Sequence, residues 1–438
     1  MSELNEIIEQ VQRVLRIASC SSSDSDKHLG NREVVRSLLE WTQGKLESKV
    51  IPKAPDSVDE TLFLWPKGCD FPETGGLALH THLDTVPPGR LNDWTRSGPY
   101  QAQIHDAKEI VGLGAADVKS DAICKIKALL NFDDHRASIK RLPYFVGSFS
   151  EEVGMKGAKE IHDKAFVRPE WALVGEPSEG NLCYANKGFL SFEAEKRFSW
   201  EEVSSPQKPM VFQGQSAHSS SPHKGVNALE KALDHLIEKP SRPIGGASGS
   251  VAINVIPGYF EWQAGTKTID SEARATLIRW RQIHARFQTW LSSLPGMDIF
   301  EPSQPTSTWT ILEIEDGLLK IGLECRYLPN QNITELVDWL QQESGSEIQL
   351  SSTAPAAYQE KACEFGSALK KLLRPDQNWI TKSGSNEAYF YQSLGAQVFV
   401  HGPGRSYGNI HKPNESIEIG ELEKAFCFYR KVCEELCS

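Results

Sequence analysis

The chain has 438 residues, of which 39% are hydrophobic and 24% charged, and a formal net charge of −11. These proportions are typical of a globular protein with room for two domains, and the acidic balance argues against a general nucleic-acid-binding protein, which needs a basic surface. The nine cysteines include no Cys-x-x-Cys pair, so we expect neither a disulfide framework nor a thiolate zinc site, and free thiols suit a reducing cytoplasm.

The N-terminal segment predicts a helix of the mature protein. Apolar residues recur at helical spacing over residues 7–17, and acidic residues stand where a signal peptide needs a basic start. A second helical face follows over residues 34–41. No run of about 18 apolar residues occurs, so we predict no membrane span.

Strands and helices then alternate along the chain. Apolar runs predict strands at 77–79, 142–146 and 171–174, with helices over 122–130 and from 157 to 162. This alternation predicts an α/β domain whose mostly parallel central sheet is flanked by helices. Open sheets of this class bind ligands where the strands end, and the acidic and histidine motifs lie at those ends.

The pattern changes after Gly188. We predict a half-exposed strand at 189–194, a helix at 227–238, a loop with one strand over 239–270, a helix at 271–294, a strand at 318–326 and a helix at 333–342. These elements indicate an inserted α+β lid domain over residues 186–350. The first domain would then comprise residues 1–185 and 351–438 and end on the helix after Gly420.

The motif His82-x-Asp84 follows the first apolar run. Residues two apart on a strand share a face, so Asp84 can accept a hydrogen bond from His82, the usual arrangement behind a metal-bound histidine. His80 shares that face, and we interpret it as a packed or hydrogen-bonded histidine. Downstream, Gly112 and Gly114 allow a tight turn that presents Asp117 inward.

Further acids and a second histidine follow. Glu151 and Glu152 lie at a strand end, where neighbouring side chains point in different directions and two like charges need a cation. Glu176 precedes a proline, and His411 lies in a polar loop; each of these motifs alone also fits an ordinary surface position. Together, the histidines and acids are what a pair of divalent metal ions and a water-activating base would need.

In this order the motifs resemble the M20 family of zinc-dependent amidohydrolases and exopeptidases. The stretches that carry the resemblance are LHTHLDTVPP, GLGAADVKSD, SFSEEVGMKGAKE, LVGEPSE, GQSAHSSSPHKGVNAL, KSGSNEAYF and HGPGRSYGNIHKPNES. They cover nearly the full length. The resemblance implies a hydrolase whose inserted domain is of the dimerisation type.

The resemblance also implies roles for the metal-capable residues. His82 and Glu176 would bind one metal ion, Glu152 and His411 the other, and Asp117 would bridge the two. The ions would be zinc, with cobalt or manganese as alternatives. Asp84 would orient His82, Glu151 would be the general base, and the peptide bond after Asp117 is expected to be cis.

Substrate-binding residues are implied on the inserted domain and on one loop. His218 matches a histidine that contacts the substrate carbonyl, in dimeric members from the neighbouring subunit. Arg326 matches an arginine that grips a carboxylate; the alternatives are a pair with Glu324, or that Arg279 or Arg281 takes the role. The loop residues are Gly384 and Ser385. Asn254 resembles an Asn-x-x-Pro substrate motif, although it lies much farther before Arg326 than in the family.

The sequence departs from the family pattern in two further places. Asn386 and Glu387 stand where most relatives have Ser or Ala followed by Asp, and the lid is long enough to mimic a partner subunit. We therefore expect a di-zinc hydrolase of N-acyl amino acids. The alternatives are a metallo-dipeptidase or carboxypeptidase, and a catalytically silent binding protein. The partners expected for this chain are a small N-acyl amino acid or dipeptide and, in a homodimer, a second copy of the chain. We expect it to bind no nucleic acid and no membrane.

Overall fold

The structure is a computed structural model that describes residues 2–132, 139–204, 208–249, 255–345 and 348–438. The α-helices in these ranges are α1 (Glu3–Leu15), α2 (Arg32–Thr42), α3 (Lys119–Leu130), α4 (Lys156–Lys164), α5 (Ala228–Glu238), α6 (Ser271–Ser293), α7 (Ile333–Ser344), α8 (Glu364–Leu372), α9 (Ala388–Ser393) and α10 (Ile419–Cys437). The strands are β1 (Leu46–Pro52), β2 (Glu60–Pro66), β3 (Leu77–His82), β4 (Gln103–His105), β5 (Glu109–Val111), β6 (Pro143–Ser148), β7 (Trp171–Val174), β8 (Leu182–Asn186), β9 (Gly188–Arg197), β10 (Trp200–Glu202), β11 (Met210–Gln213), β12 (Ala217–His218), β13 (Ala247–Ser248), β14 (Val255–Ile256), β15 (Tyr259–Trp262), β16 (Lys267–Ile269), β17 (Thr306–Glu315), β18 (Leu318–Tyr327), β19 (Gln349–Ala354), β20 (Ala357–Tyr358), β21 (Trp379–Lys382), β22 (Gln397–Val400) and β23 (Ser416–Glu418).

Polar side chains fix where the predicted long helices begin. Ser2 accepts the backbone N–H of Asn5 at the start of α1, and Asp270 accepts that of Ala273 at the start of α6. Such caps satisfy N–H groups that have no partner inside the helix. Among the described residues, no helix is both long and apolar enough to cross a membrane.

The chain divides into two compact units. Unit 1 comprises residues 1–185, 357–380 and 386–438, and unit 2 comprises residues 186–356 and 381–385. Each unit has its own buried apolar cluster, as an independently folding domain requires.

Unit 1 is built on one twisted sheet with helices packed against it. Its strand order is β1-β2-β6-β3-β7-β22-β8-β20. The central strands β6, β3, β7 and β22 run parallel, whereas β1–β2, β2–β6 and β22–β8 pair antiparallel. The predicted α/β class is confirmed, and the sheet is mixed because antiparallel strands that were not predicted extend the parallel centre.

Helix α3 lies in the centre of unit 1 and carries charged side chains into its core. Asp121 and Lys125 are both fully buried and form an ion pair with an N–O distance of 2.7 Å. The Lys125 ammonium also donates to the carbonyls of His80 and Leu173. A buried charge needs this complete satisfaction, because an unpaired one would be strongly destabilising.

Unit 2 contains an antiparallel sheet in the order β17-β18-β9-β19, against which helices α5 and α6 pack. Its core includes Trp262, Trp309 and Phe287, each fully or almost fully buried. The single strand predicted over 239–270 is wrong, because β13, β14, β15 and β16 all lie in the described part of this segment. These strands have two to four residues, too few for an alternating pattern to be read.

Candidate metal centre

The parallel strands bring the metal-capable residues of unit 1 to one edge of the sheet. His82 is the last residue of β3 and lies opposite Ser148, the last residue of β6, while His80 lies opposite Val174, the last residue of β7. Asp84, Glu151–Glu152 and Glu176 therefore emerge from neighbouring strand ends. This is the edge at which α/β sheets bind ligands.

Asp117 lies between two histidines. Its two carboxylate oxygens are 3.4 Å from His82 Nε2 and 3.1 Å from His411 Nε2. His411 Nε2 is also 3.1 Å from a carboxylate oxygen of Glu152. The ligand atoms of His82, Asp117 and Glu152 all lie within 4.8 Å of one another, whereas Glu176 is outside that group among the described residues.

Asp84 ties the first histidine to the two glutamates. Its carboxylate accepts the backbone N–H groups of Glu151 and Glu152, at 3.1 and 3.3 Å. Nδ1 of His82 lies 3.1 Å from the Asp84 carbonyl and 3.5 Å from its carboxylate. A proton on Nδ1 is held there, which leaves Nε2 directed at Asp117 as a ligand atom.

The loop that carries Asp117 is held by Glu415. The peptide bond Asp117–Val118 is cis, as expected. The Glu415 carboxylate accepts the backbone N–H groups of Gly114, Ala116 and Asp117, at 3.2, 2.8 and 2.9 Å. Burial and the nearby Asp117 raise the pKa of Glu415 to about 8, against the effect of these N–H donors. The sequence placed Glu415 in the last motif but gave no sign of this supporting position.

The charges in the cluster are strongly coupled. Burial would raise the pKa of Asp117, but the adjacent imidazoles of His411 and His82 outweigh this effect and hold that pKa well below its usual range. Burial opposes protonation of His411, yet Glu152 and Asp117 raise its pKa to about 12. Two imidazoles and a carboxylate at this separation thus attract positive charge, whether carried by protons or by metal ions.

The fit of this cluster to a metal ion follows from atoms that lack partners. Among the described residues, His82 Nε2 and Glu152 Oε1 are buried without a hydrogen-bond partner. Unsatisfied buried polar atoms are rare and costly, and both are ligand atoms of the nitrogen and oxygen type that divalent transition metals accept. The donor atoms of His82, Asp117 and Glu152 therefore fit the chemistry of a divalent metal centre, with His411 beside them.

Glu151, like its neighbour Glu152, has a carboxyl pKa that burial raises. Burial raises its pKa well above the ordinary value; His82 opposes this, while the charges of Glu152, Glu176 and Glu387 add to it. A raised carboxyl pKa is what a group needs if it is to take up and release a proton near neutral pH.

A buried polar cluster lies behind the strand ends. His80 contacts the hydroxyls of Tyr391 and Ser148, at 2.7 and 2.9 Å, and a carboxylate oxygen of Glu387 at 2.8 Å. Ser148 donates to the other oxygen of Glu387 at 2.8 Å. His80 is thus a hydrogen-bonded core histidine, as predicted, and Glu387 supports strands β3 and β6.

We expect Glu387→Ala to destabilise unit 1, because it leaves the buried Ser148 hydroxyl without its acceptor and removes the carboxylate beside His80. A loss of about 1–3 kcal/mol is typical of such a group. Urea unfolding followed by the fluorescence of the protein's tryptophans would measure it. The control is Glu423→Ala on the exposed side of α10, which should change stability by less than about 0.5 kcal/mol; equal behaviour of the two variants would contradict the prediction.

His218 is exposed on β12 of unit 2, and its environment selects one tautomer. Its Nδ1 accepts the backbone N–H of Ser220 at 3.1 Å and lies 2.7 Å from that residue's hydroxyl. In the neutral ring the proton is therefore on Nε2. His218 can present a hydrogen-bond donor, as a residue that contacts a carbonyl oxygen must.

Arg326 is buried in unit 2 rather than on a surface. Its Nε donates to Glu324 at 2.6 Å, and the Ser219 hydroxyl donates to the same oxygen at 2.6 Å. The pairing with Glu324 raised as an alternative is present, but it is a buried pair. Nη1 of Arg326 lies 3.5 Å from the Ser383 carbonyl, at the limit of a hydrogen bond.

The other two candidate arginines contact different partners in unit 2. Arg279 donates to the Ser344 carbonyl at 2.8 Å, and Arg281 forms two hydrogen bonds with the Asp234 carboxylate, at 2.8 and 3.1 Å. All three candidate arginines therefore have polar partners within unit 2.

Two of the remaining predicted substrate residues, Gly384 and Ser385, lie among the described residues. Ser385 donates to the Lys187 carbonyl at 2.8 Å, and no heavy atom lies within 4 Å of a Cβ placed on Gly384. Asn254 lies outside the described residues. Lys187 was missed by the sequence analysis: burial and the charge of Arg326 lower its pKa to about 8, so a second cation lies near that arginine.

Comparison with known proteins gives two kinds of match. The model of Peptidase family M20/M25/M40 matches residues 78–435. Among curated proteins, acetylornithine deacetylase of Pectobacterium carotovorum subsp. carotovorum (strain PC1) is 32% identical over 236 residues, which cover 52% of this chain and 55% of that protein. The match thus spans about half the length of this relative.

Solved structures resemble the chain over nearly its whole length. The M20 family metallo-carboxypeptidase Sso-CP2 of Sulfolobus solfataricus gives a TM-score of 0.61 at 17% identity, covering 99% of this chain and 98% of that one. Aminoacylhistidine dipeptidase of Vibrio alginolyticus gives 0.65 at 14% identity, covering 98% and 96%. At such identities these likenesses show the fold alone.

Proposed function

The chain belongs to Peptidase family M20/M25/M40 and is a metal-dependent hydrolase, and we propose that it cleaves the amide bond of an N-acyl amino acid at a pair of divalent metal ions. The observation that carries this proposal is the position of Asp117 between His82 and His411. A carboxylate with one oxygen toward each histidine is suited to bridge two ions.

We propose that the ligands divide as the family pattern implies. His82 and Glu176 would hold one ion, and Glu152 and His411 the other. Zinc suits such a set of nitrogen and oxygen donors, and cobalt and manganese are the alternatives. When bound, such a pair of ions polarises a water molecule and the scissile carbonyl.

The proton movements belong to Glu151 in this proposal. Its raised pKa lets the carboxylate take a proton from the attacking water and later give it to the leaving amine. Asp84 positions Glu151, because its carboxylate accepts the backbone N–H of Glu151 while its carbonyl contacts the ring of His82. Asp84 therefore fixes the position of the proposed base, Glu151, relative to the proposed ligand His82.

Unit 2 would supply substrate recognition. We propose that His218 donates from Nε2 to the carbonyl oxygen of the bond that is cleaved, and that Arg326 binds the substrate carboxylate. Gly384 and Ser385 would contact the substrate, and Asn254 is retained as a candidate. Lys187 is a second basic residue of unit 2 near Arg326, and its ammonium donates to the Pro302 carbonyl at 2.7 Å.

The substrate class is tested by a panel. We expect N-acetyl-L-ornithine or other N-acetyl and N-succinyl amino acids to be cleaved with a kcat/KM at least about ten-fold above that of dipeptides, a difference of roughly 1.4 kcal/mol. Release of free amino acid, followed by mass spectrometry, gives both rates. Cleavage of dipeptides alone would assign the chain a dipeptidase or carboxypeptidase activity instead.

We also propose that the protein acts in the cytoplasm, where its nine cysteines, all free in the structure, would stay reduced. A homodimer is the expected assembly if His218 acts on a neighbouring subunit. Sedimentation equilibrium separates this from a monomer, because a single species of 48.8 kDa would exclude action in trans.

A further inference from the structure

A polar crevice of about 250 Å³ lies in unit 1, between residues 179–181, residues 374–377 and helix α10. Among the described residues, its lining includes none of the predicted metal ligands. It is smaller than the roughly 300–1,000 Å³ of pockets for drug-sized ligands, so it would suit a small metabolite. The side chains that define it are His401, Glu179, Glu421, Lys424 and Arg374.

His401 lines this crevice, and its ring nitrogen Nε2 has no hydrogen-bond partner among the described residues. The Tyr429 hydroxyl has one proton, which it donates to the Asp121 carboxylate, itself paired with Lys125. The Tyr429 oxygen must then accept from His401 Nδ1, at 2.9 Å. Burial and the charge of Lys125 lower the pKa of His401 to about 3, against the effect of the nearby Gly180 backbone, so the ring is neutral. With its proton on Nδ1, the neutral ring has a lone pair on Nε2.

This lone pair lacks a donor. His401 is fully buried, and its Nε2 has no hydrogen-bond partner among the described residues. The atom lies 3.9 Å from the place of a Cβ on Gly180, whose backbone also lines the crevice. The Gly180 carbonyl is a second acceptor, to which the side-chain amide of Gln377 donates at 2.6 Å. The unsatisfied acceptor on His401 would be satisfied by an N–H donor of a guest.

Carboxylates lie on the same crevice. Glu421, on α10, is partly buried, and its pKa is raised by burial and by the charges of Glu418 and Glu179. Acids that repel one another in this way favour a cation between them. A divalent metal is not the suitable cation, because among the described residues the group that could hold one is His82, Asp117 and Glu152. An ammonium group fits both the acids and the imidazole lone pair.

Positive charges complete the lining. Lys424 lies one helical turn after Glu421 on α10, and Arg374 forms two hydrogen bonds with Asp376 at the rim, at 3.0 and 3.2 Å. Charge-assisted contacts from such groups recognise a carboxylate. The crevice therefore offers acceptors for an ammonium and cations for a carboxylate within a volume suited to one small molecule.

We propose that this crevice is a second binding site that takes a free amino acid as its zwitterion. The ammonium lies against His401 Nε2 and Glu421, and the carboxylate lies toward Lys424 and Arg374. The crevice lining begins at Glu179, three residues after Glu176, and the preceding Ser178 hydroxyl exchanges hydrogen bonds with Gly402 at 3.1 Å. An occupant would therefore contact the loop that leaves the metal centre.

Calorimetric titration of the full-length, metal-loaded protein tests the proposal without requiring turnover. The probes are L-alanine, L-glutamate, L-ornithine and L-arginine, with propionate and ethylamine as analogues that each lack one charge. The variants are Glu421→Gln and Lys424→Gln. The matched controls are Glu423→Gln and Lys431→Gln, exposed positions on the same helix whose side chains are outside the crevice lining.

We expect one equivalent of at least one amino acid to bind to the wild type, and neither analogue to occupy that site. Both crevice variants should bind it at least about ten-fold more weakly, as the loss of one charged contact implies, and both controls as the wild type does. An amino acid that binds only at the metal centre would bind the crevice variants unchanged. That result, binding of an analogue, or no binding of any probe overturns the proposal, and none of these results bears on amide hydrolysis.

Discussion

Glu151→Gln is expected to lower kcat by about 10²–10⁴-fold, the usual contribution of a general base, with little change in bound metal. Glutamine keeps the shape of the side chain and the backbone N–H that Asp84 accepts. It removes the carboxylate whose pKa burial raises well above its ordinary value. The change therefore isolates proton transfer from the assembly of the site.

Steady-state kinetics on the best substrate of the panel, with metal content measured by plasma mass spectrometry, gives the result. Glu9→Gln, on the exposed face of α1, is the control and should keep wild-type kcat. If Glu151→Gln turned over at the wild-type rate with its metal retained, Glu151 would not be the base. If metal were lost, Glu151 would be a ligand instead.

Asp117→Asn is expected to remove metal as well as activity. The amide keeps one oxygen but loses the charge that lies between His82 and His411. A bridging ligand serves both ions, so we expect at least one metal equivalent to be lost and kcat/KM to fall by more than about 100-fold, beyond the 10–100-fold typical of residues that only support ligands.

Three measurements define this second result. Metal per chain and kcat/KM are compared with those of Asp163→Asn, an exposed position at the end of α4, and circular dichroism shows whether the variant is folded. Chelation of the wild type should abolish turnover, and added zinc or cobalt should restore it. A folded Asp117→Asn protein with full metal and activity would contradict the bridging role.

The sequence predicted those parts of the fold that carry a long local pattern. Helices such as α1 and α6 repeat apolar residues over several turns, so their bounds lie within a few residues of the prediction. The strands of the 239–270 segment are too short to alternate. The antiparallel strand β2 pairs with the distant β6, a contact that no local pattern reports, and β1 pairs with β2.

In the candidate metal centre, too, some residues were predicted from the sequence and others were not. His82, Asp117, Glu152 and His411 were grouped from residue type and order alone, and the structure brings them together. The supporting carboxylates were not assigned, because their partners are remote in sequence. Ser148 and Glu387, for example, are 239 positions apart. Whether an acid is solvated or buried depends on packing of this kind.

The hydrogen bonds from the Asp117 loop to Glu415 have a consequence for the order of assembly during synthesis. Asp117 and Glu415 are 298 positions apart, and the strand that follows Glu415 pairs with β5 beside the loop. A nascent chain that has emerged as far as unit 2 has its first histidine and its acids but nothing to hold the loop. Because contacts this distant form late, we expect a ribosome-bound chain to complete the metal centre only after Glu415 and β23 have emerged.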